Sequence, residues 1–252
     1  MVAACVVMAP AAQVQTAVGV VRPASPALPQ SLGPLREAPV PAADCGPTPA
    51  APSPTDTYRT PFGDIGKWML QAGGGQIANW GCQQHDSKGL YEPVNLILVD
   101  RISTSAQLAI NKLNKALTNA GFPSRLGHTV GFSGRVGNTV YKQQPDILFA
   151  AYADAPFVPD PDNHGRVFGP APAANGQGFV WSAAFSRERP SFYDGQATHV
   201  YESFNIARDR LHTNLVATGA ADLGPVRLDN AINAPTVTTG DHDGYAAAVE
   251  LT

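Results

Sequence analysis

Residues 93–123 read PVNLILVDRISTSAQLAINKLNKALTNAGFP, and this stretch decides the fold class. Val94-Asn95-Leu96-Ile97-Leu98-Val99 is an apolar run of strand length, rich in branched side chains and fit for burial on both faces. Behind it, Ser103 or Thr104 can cap a helix whose Leu108, Ala109, Leu113, Ala116, Leu117 and Ala120 recur at spacings of three and four. Gly121 ends that helix and Pro123 prevents its resumption, so the segment is a β-α unit.

Toward the C-terminus, Gly127 to Asn138 is glycine-rich and reads as a loop. Short strands are expected at 139–142 and 147–150 around Pro145, and at 166–168. Phe179 to Ser186 is a longer strand in which Phe179, Trp181, Ala183 and Phe185 share a face by the period of two. Pro156 to Gly165 and Gly169 to Gly178 carry the Pro, Asp, Asn and Gly of turns. A second β-α unit follows: strand Thr198 to Tyr201, then a helix capped by Asn205 with Ile206, Ala207, Leu211, Leu215 and Val216 on it, ending by Gly219. Pro225 to Leu228 returns as a strand. This order predicts an α+β fold, a two-layer sandwich with a mixed sheet and two main helices on one face. Residues 230–252, rich in Thr, Ala and Gly, read as a loosely held tail.

The N-terminal quarter has a different character. No charge precedes Arg22, Val2 to Met8 is apolar, and Ala9-Pro10-Ala11 fits a signal peptidase pattern. Residues 1–21 therefore read as a secretory signal segment lacking its basic end; a disordered tail is the alternative, and Val2-Ala3-Ala4-Cys5 also fits a lipoprotein box. Residues 22–61 hold eleven prolines and read as a linker, polyproline II or disordered. Residues 62–92 form a Gly-rich irregular segment in which Gly63 to Leu70 begins a short helix that Gly73-Gly74-Gly75 ends, and 93–229 is the α+β domain. No apolar run approaches the ~18 residues a membrane helix needs. With Cys5 removed, Cys45 and Cys82 remain, either as one disulfide closing a loop of about 37 residues or as two free thiols. Seventeen basic against twenty acidic residues, with no Lys/Arg cluster, argue against nucleic acid as a partner.

The strand Pro93 to Val99 with its helix ending Ala120-Gly121-Phe122, the strand Val180 to Glu188, and Thr198-His199-Val200-Tyr201 with Ala207-Arg208-Asp209-Arg210-Leu211 resemble the LssY-like C-terminal domain, over roughly Pro93 to Leu228. In that family the domain is often attached to a multi-pass membrane region and has no established activity. The resemblance brings no catalytic residues.

Candidate sites rest on side-chain chemistry. Of six histidines, His164 lies in Asp162-Asn163-His164-Gly165-Arg166, read as a turn opening a strand, and His199 sits on a strand just before a helix with Glu202 close by. A hydrolase can be built from His164, Arg166, His199 and Glu202, with Arg166 holding an anion by its planar fork. Asp241-His242-Asp243 offers two carboxylates and an imidazole, too few for a metal site alone. Gly131-Phe132-Ser133-Gly134-Arg135 misses the nucleophile-elbow pattern because Arg135 stands where glycine is needed. No metal site or cofactor is expected on this reading. It points first to an exported cell-envelope binding or accessory module with an envelope protein as its expected partner, its oligomeric state open; the alternatives are the small hydrolase and a structural subunit of an envelope complex. Convergence of His164, Arg166 and His199 favours the enzyme, and dispersal favours the module.

Overall fold

The computed structural model describes residues 52–157, 160–193 and 196–252, without the side chains of 81–83, 192, 193, 196 and 197. The expected signal segment 1–21, most of the linker, Cys45 and the side chain of Cys82 lie outside the described residues.

The chain is mostly strand. β1 (Thr57–Thr60) and β2 (Gly63–Gly66) make a hairpin, β3 (Asn79–His85) and β4 (Lys88–Tyr91) a second, and β5 (Leu96–Asp100) leads into α1 (Ala106–Asn119). Short strands β6 (Ser124–Leu126), β7 (Ser133–Val136), β8 (Thr139–Gln144) and β9 (Ala150–Ala153) precede the longer β10 (Asp162–Pro172), β11 (Phe179–Tyr193) and β12 (Gln196–Ser203). Then come α2 (Phe204–Ala217), β13 (Ala221–Arg227), β14 (Val237–Thr238) and β15 (Tyr245–Glu250).

Twelve strands share one sheet in the order β1-β2-β7-β8-β10-β11-β5-β15-β13, with β12 on β11, β9 on β10 and β6 on β9. Its pairs are antiparallel except β15 with β5, so the sheet is mixed; β14, β4 and β3 form a small separate sheet. Leu96, Leu98, Trp181, Ala183, Phe185 and Val249 face the buried stripes of both helices, Ala109, Leu113 and Leu117 of α1 and Ala207, Leu211 and Leu215 of α2. The other face is closed by the sheet itself: Ile65 of β2 and Val136 of β7 pack onto Ile97, Val99, Val180, Ala246 and Ala248. The α+β class therefore holds, with both helices on one face, and the sheet curls into a nearly closed barrel.

Several local expectations are corrected. Residues 62–92 hold β2, β3 and β4, and Gly63 to Gly66 is strand where a helix was expected; Gly63, at φ +107°, makes the tight turn from β1. The linker ends early, because Thr57–Thr60 is β1. Residues 133–136 of the expected loop pair with β8. Ile147, Leu148 and Phe149 are an exposed turn, and the strand begins at Ala150. The helix caps are Ser105, accepting from the Leu108 N–H, and Ser203, accepting from Ile206. Ser103 is unavailable because its side chain, together with its own N–H and that of Ile102, is bound to the Asp100 carboxylate. Residues 245–250 are no loose tail: β15 runs between β5 and β13 with Ala246, Ala248, Val249 and Leu251 buried.

Asn95 joins the two β-α units. Fully buried, it donates to the Phe185 and Phe204 carbonyls (2.8 and 3.2 Å) and accepts from the Phe185 N–H at 3.0 Å. Replacing it with Ala strands three buried backbone groups, so Asn95→Ala is expected to cost about 2–4 kcal/mol in urea denaturation. A cost below 0.5 kcal/mol contradicts this role.

Candidate metal centre

β10 and β11 lie antiparallel with Asp162 opposite Glu188, His164 opposite Ser186 and Arg166 opposite Ala184. Strand alternation puts Asp162, His164 and Arg166 on one face of β10 and Ser186 and Glu188 on the same face of β11. Val167, Trp181 and Phe185 take the other face, against the helices, so the polar set points into the curled sheet. The strands close tightly here because residue 165 is glycine: a Cβ on it meets the Ala184 carbonyl oxygen at 2.3 Å and the Phe185 ring at 2.4 Å. β12 adds His199, the segment after β6 adds His128, and the half-buried Phe157 stacks on His199 at 4.0 Å and stands edge-on to His128 at 5.7 Å.

The donor atoms converge. His164 Nδ1 lies 3.3 Å from Asp162 Oδ2, and its Nε2 lies 3.1 Å from Glu188 Oε1. His199 Nδ1 is 3.2 Å from Glu188 Oε2 and 3.4 Å from Asp162 Oδ1, and His128 Nε2 is 4.0 Å from Asp162 Oδ2. Two triads result, His128/Asp162/His164 and His164/Glu188/His199, all buried, with donor atoms within 4.8 Å of one another in each.

The two triads differ in how their hydrogen bonds are met. Glu188 accepts from the Ser186 hydroxyl (2.8 Å) and from His199 Nδ1, and His199 Nε2 donates to the Phe157 carbonyl at 2.5 Å. In contrast, His128 Nε2, His164 Nδ1 and both Asp162 oxygens are buried with no hydrogen-bond partner. Buried polar atoms are rarely left so, and each costs free energy. An ion bound at ~2.0–2.2 Å from N and O donors holds those donors ~3–3.5 Å apart; the 3.3 Å between His164 and Asp162 falls in that range, and the 4.0 Å between His128 and Asp162 is about half an ångström wider.

The electrostatics fit the same division. Burial, then the charges of His164, Arg166 and His199, push His128 down to about 2, which keeps its imidazole neutral as a ligand must be. Burial alone would lower His199, but its hydrogen bond to Glu188 and the nearby carboxylates raise it instead. Burial would raise Glu188, and His164 with the His199 and Ser186 hydrogen bonds outweighs that and lowers it. Burial and the Glu188 charge push the neighbouring Glu92 carboxyl up to about 7, against the opposing pull of Arg166 and His164.

Of the residues anticipated from sequence, His164 and His199 meet through Glu188 and Asp162, and Arg166 lies on the same strand face as His164. Glu202 is elsewhere, paired with Arg187 and Arg189. The Asp241-His242-Asp243 side chains go three separate ways. Asp241 accepts from Tyr201, Ser203 and the Phe204 N–H at the start of α2, His242 binds Asn230, and Asp243 binds Arg208. Ser133 opens β7 with its backbone paired to Leu70, so no nucleophile elbow forms. His128, Asp162, Glu188 and Glu92 went unselected. Asp162 and Glu188 carry a signal, an Asp-x-His-x-Arg alternation facing Ser-x-Glu, which the turn-like composition of Pro156 to Gly165 masks. These residues form a candidate metal centre, at a place different from Asp241-His242-Asp243.

His242 itself makes a stability prediction. Its Nε2–H donates to Asn230 Oδ1 at 2.7 Å, and Asn230 in turn donates to the Lys67 and Val94 carbonyls. Burial pushes His242 down to about 4, so the unfolded chain takes up its proton first as pH falls. The neutral-His contribution is complete above pH ~6.5 and is lost between there and pH ~4, a span worth about 3 kcal/mol. Urea midpoints of the metal-free chain are expected to fall across that window, and His242→Gln to flatten the slope. An unchanged slope in the variant contradicts the assignment.

Comparison with family models, with curated proteins and with solved structures finds no match to this chain.

Proposed function

We propose that the chain is a small metal-dependent hydrolase whose centre is one divalent transition-metal ion of the zinc class, held by His128 Nε2, Asp162 and His164 Nδ1. The observation that carries this reading is the convergence of four buried donor atoms without hydrogen-bond partners. Two imidazoles and a carboxylate suit zinc and its neighbours. Glu188 stands behind the ligand set: its Oε1 lies 3.1 Å from His164 Nε2, which places a carboxylate on the ring nitrogen opposite Nδ1 and favours the proton there. Zinc held by these three residues would keep a position for water and would supply the chemistry of lowering that water's pKa to ~7. The water oxygen bonds to the central atom of an ester, the bond to the alcohol oxygen breaks, and the alcohol leaves with a proton. Glu92 is buried within the electrostatic reach of Arg166, Glu188 and His164, and would be the group nearest in character to a general base for that proton. The Phe157 ring covers the His128 and His199 side.

Export, attachment to the Pro/Ala segment and an envelope partner belong to the same reading and rest on residues 1–61. The LssY-like kinship rests on the short motifs quoted above. Among the described residues no helix is long and apolar enough to cross a membrane.

The test uses the metal-free full chain. Zinc is expected to be retained at one equivalent through gel filtration and to confer hydrolysis of activated nitrophenyl esters that chelator abolishes. Zinc retained without turnover on any activated ester overturns the hydrolase and leaves a metal-binding module; zinc not retained overturns both.

A further inference from the structure

Arg166 is 4% exposed, and its position inside the sheet is unusual for a permanent cation. One terminal nitrogen donates to the Thr129 carbonyl (3.0 Å) and hydroxyl (3.2 Å), and its guanidinium carbon stands 4.7 Å from the centre of the Phe132 ring. Its Nε is buried with no hydrogen-bond partner, and among the described residues no carboxylate forms an ion pair with it. A guanidinium taken out of water without a carboxylate in contact is strongly unfavourable. Asp162, Glu188 and Glu92 act on it from a distance only. Thr129 follows directly on His128, and Arg166 follows His164 by two positions, or ~7 Å along the strand. The cation is thus tethered to the backbone beside two of the three metal donors.

We infer that Arg166 is the anion-binding residue of this centre, and that the substrate is a small ester carrying an oxyanion which bridges the ion and the Arg166 Nε–H. The inference rests on the metal-centre reading above. An oxyanion with two free oxygens gives one to the ion and one to the guanidinium, which supplies the counter-charge that the protein withholds. Both a phosphoryl group and a carboxylate have this chemistry. A neutral ester leaves the guanidinium as unsatisfied as before, so the site discriminates against it.

The test is calorimetric titration of the full chain with inorganic phosphate and, separately, with acetate, each with and without one equivalent of zinc. At least one of the two anions is expected to bind at least tenfold more tightly to the zinc-loaded chain; phosphate alone doing so assigns a phosphoryl group, acetate alone a carboxylate. Arg166→Met is expected to weaken that anion at least 30-fold while zinc is still retained at one equivalent. Arg166→Lys, which keeps the charge and loses the Nε–H, is expected to fall between, and serves if the Met variant does not fold. Zinc retained with neither anion bound, or anion affinity unchanged in both variants, overturns this inference and leaves the metal centre standing. Zinc not retained by the wild-type chain overturns both.

Discussion

Asp162→Asn is expected to abolish nearly all of the stability that zinc confers while changing the metal-free protein by about 1 kcal/mol or less. The asymmetry comes from what the carboxylate touches. Neither oxygen accepts a hydrogen bond, so replacing it with an amide of the same shape removes no hydrogen bond from the metal-free fold. With zinc at a thousandfold excess over its dissociation constant, the wild-type chain gains about 4 kcal/mol by mass action. The Asn variant loses the anionic ligand of the set, and its zinc affinity is expected to drop ~1,000-fold or more. His164→Gln should do the same. Glu188→Gln, which alters the group behind His164 and not a ligand, is expected to cost only ~10–100-fold. Thermal denaturation with and without zinc reads all three. If Asp162→Asn unfolds the metal-free chain, or retains the zinc increment, the carboxylate is a structural partner and not a ligand.

Truncation after Gly244 is expected to prevent folding altogether. β15 is an interior strand: it pairs in parallel with β5 along Ala247–Leu96 to Glu250–Val99, and antiparallel with β13 along Ala221–Glu250 to Arg227–Tyr245. Ala246 and Ala248 fill the core inside the curled sheet, while Val249 and Leu251 fill the core under the helices. Losing this strand exposes the edges of two others and opens both cores at once, a deficit beyond the 5–15 kcal/mol by which domains are stable. Circular dichroism of the truncated chain should show no cooperative thermal transition. Removal of the exposed Thr252, whose hydroxyl donates to the Gly219 carbonyl, should cost about 1 kcal/mol at most. A truncated chain that melts cooperatively near the wild-type temperature would show that β15 is dispensable.

The first β-α unit was legible because its apolar run and its three-four periodicity are long, and Gly121 and Pro123 mark its end. The shared face of Phe179, Trp181, Ala183 and Phe185 was legible for the same reason, the side chains being large and their period strict. β15 was not. Its Ala246-Ala247-Ala248 core carries almost no strand propensity, and its burial comes from tertiary fit between β5 and β13. The candidate site was half legible: His164, Arg166 and His199 stood out as single residues, whereas Asp162 became meaningful only once β10 was known to begin there. Glu188 depended on register, since only the pairing of β10 with β11 places it opposite Asp162. His128 left no local signal, for it reaches the centre from a connecting segment whose path is set by the Phe149 carbonyl, which accepts from both the Gly127 and His128 N–H groups.

X-ray absorption at the zinc edge of the loaded full chain tests the central claim most directly. A first shell of nitrogen and oxygen at ~2.0–2.1 Å, with the outer-shell scattering of two imidazoles, is the predicted result; in His128→Gln one imidazole should vanish from that signal. A spectrum of hydrated zinc without imidazole scattering, or one that His128→Gln and His164→Gln leave unaltered, would contradict it.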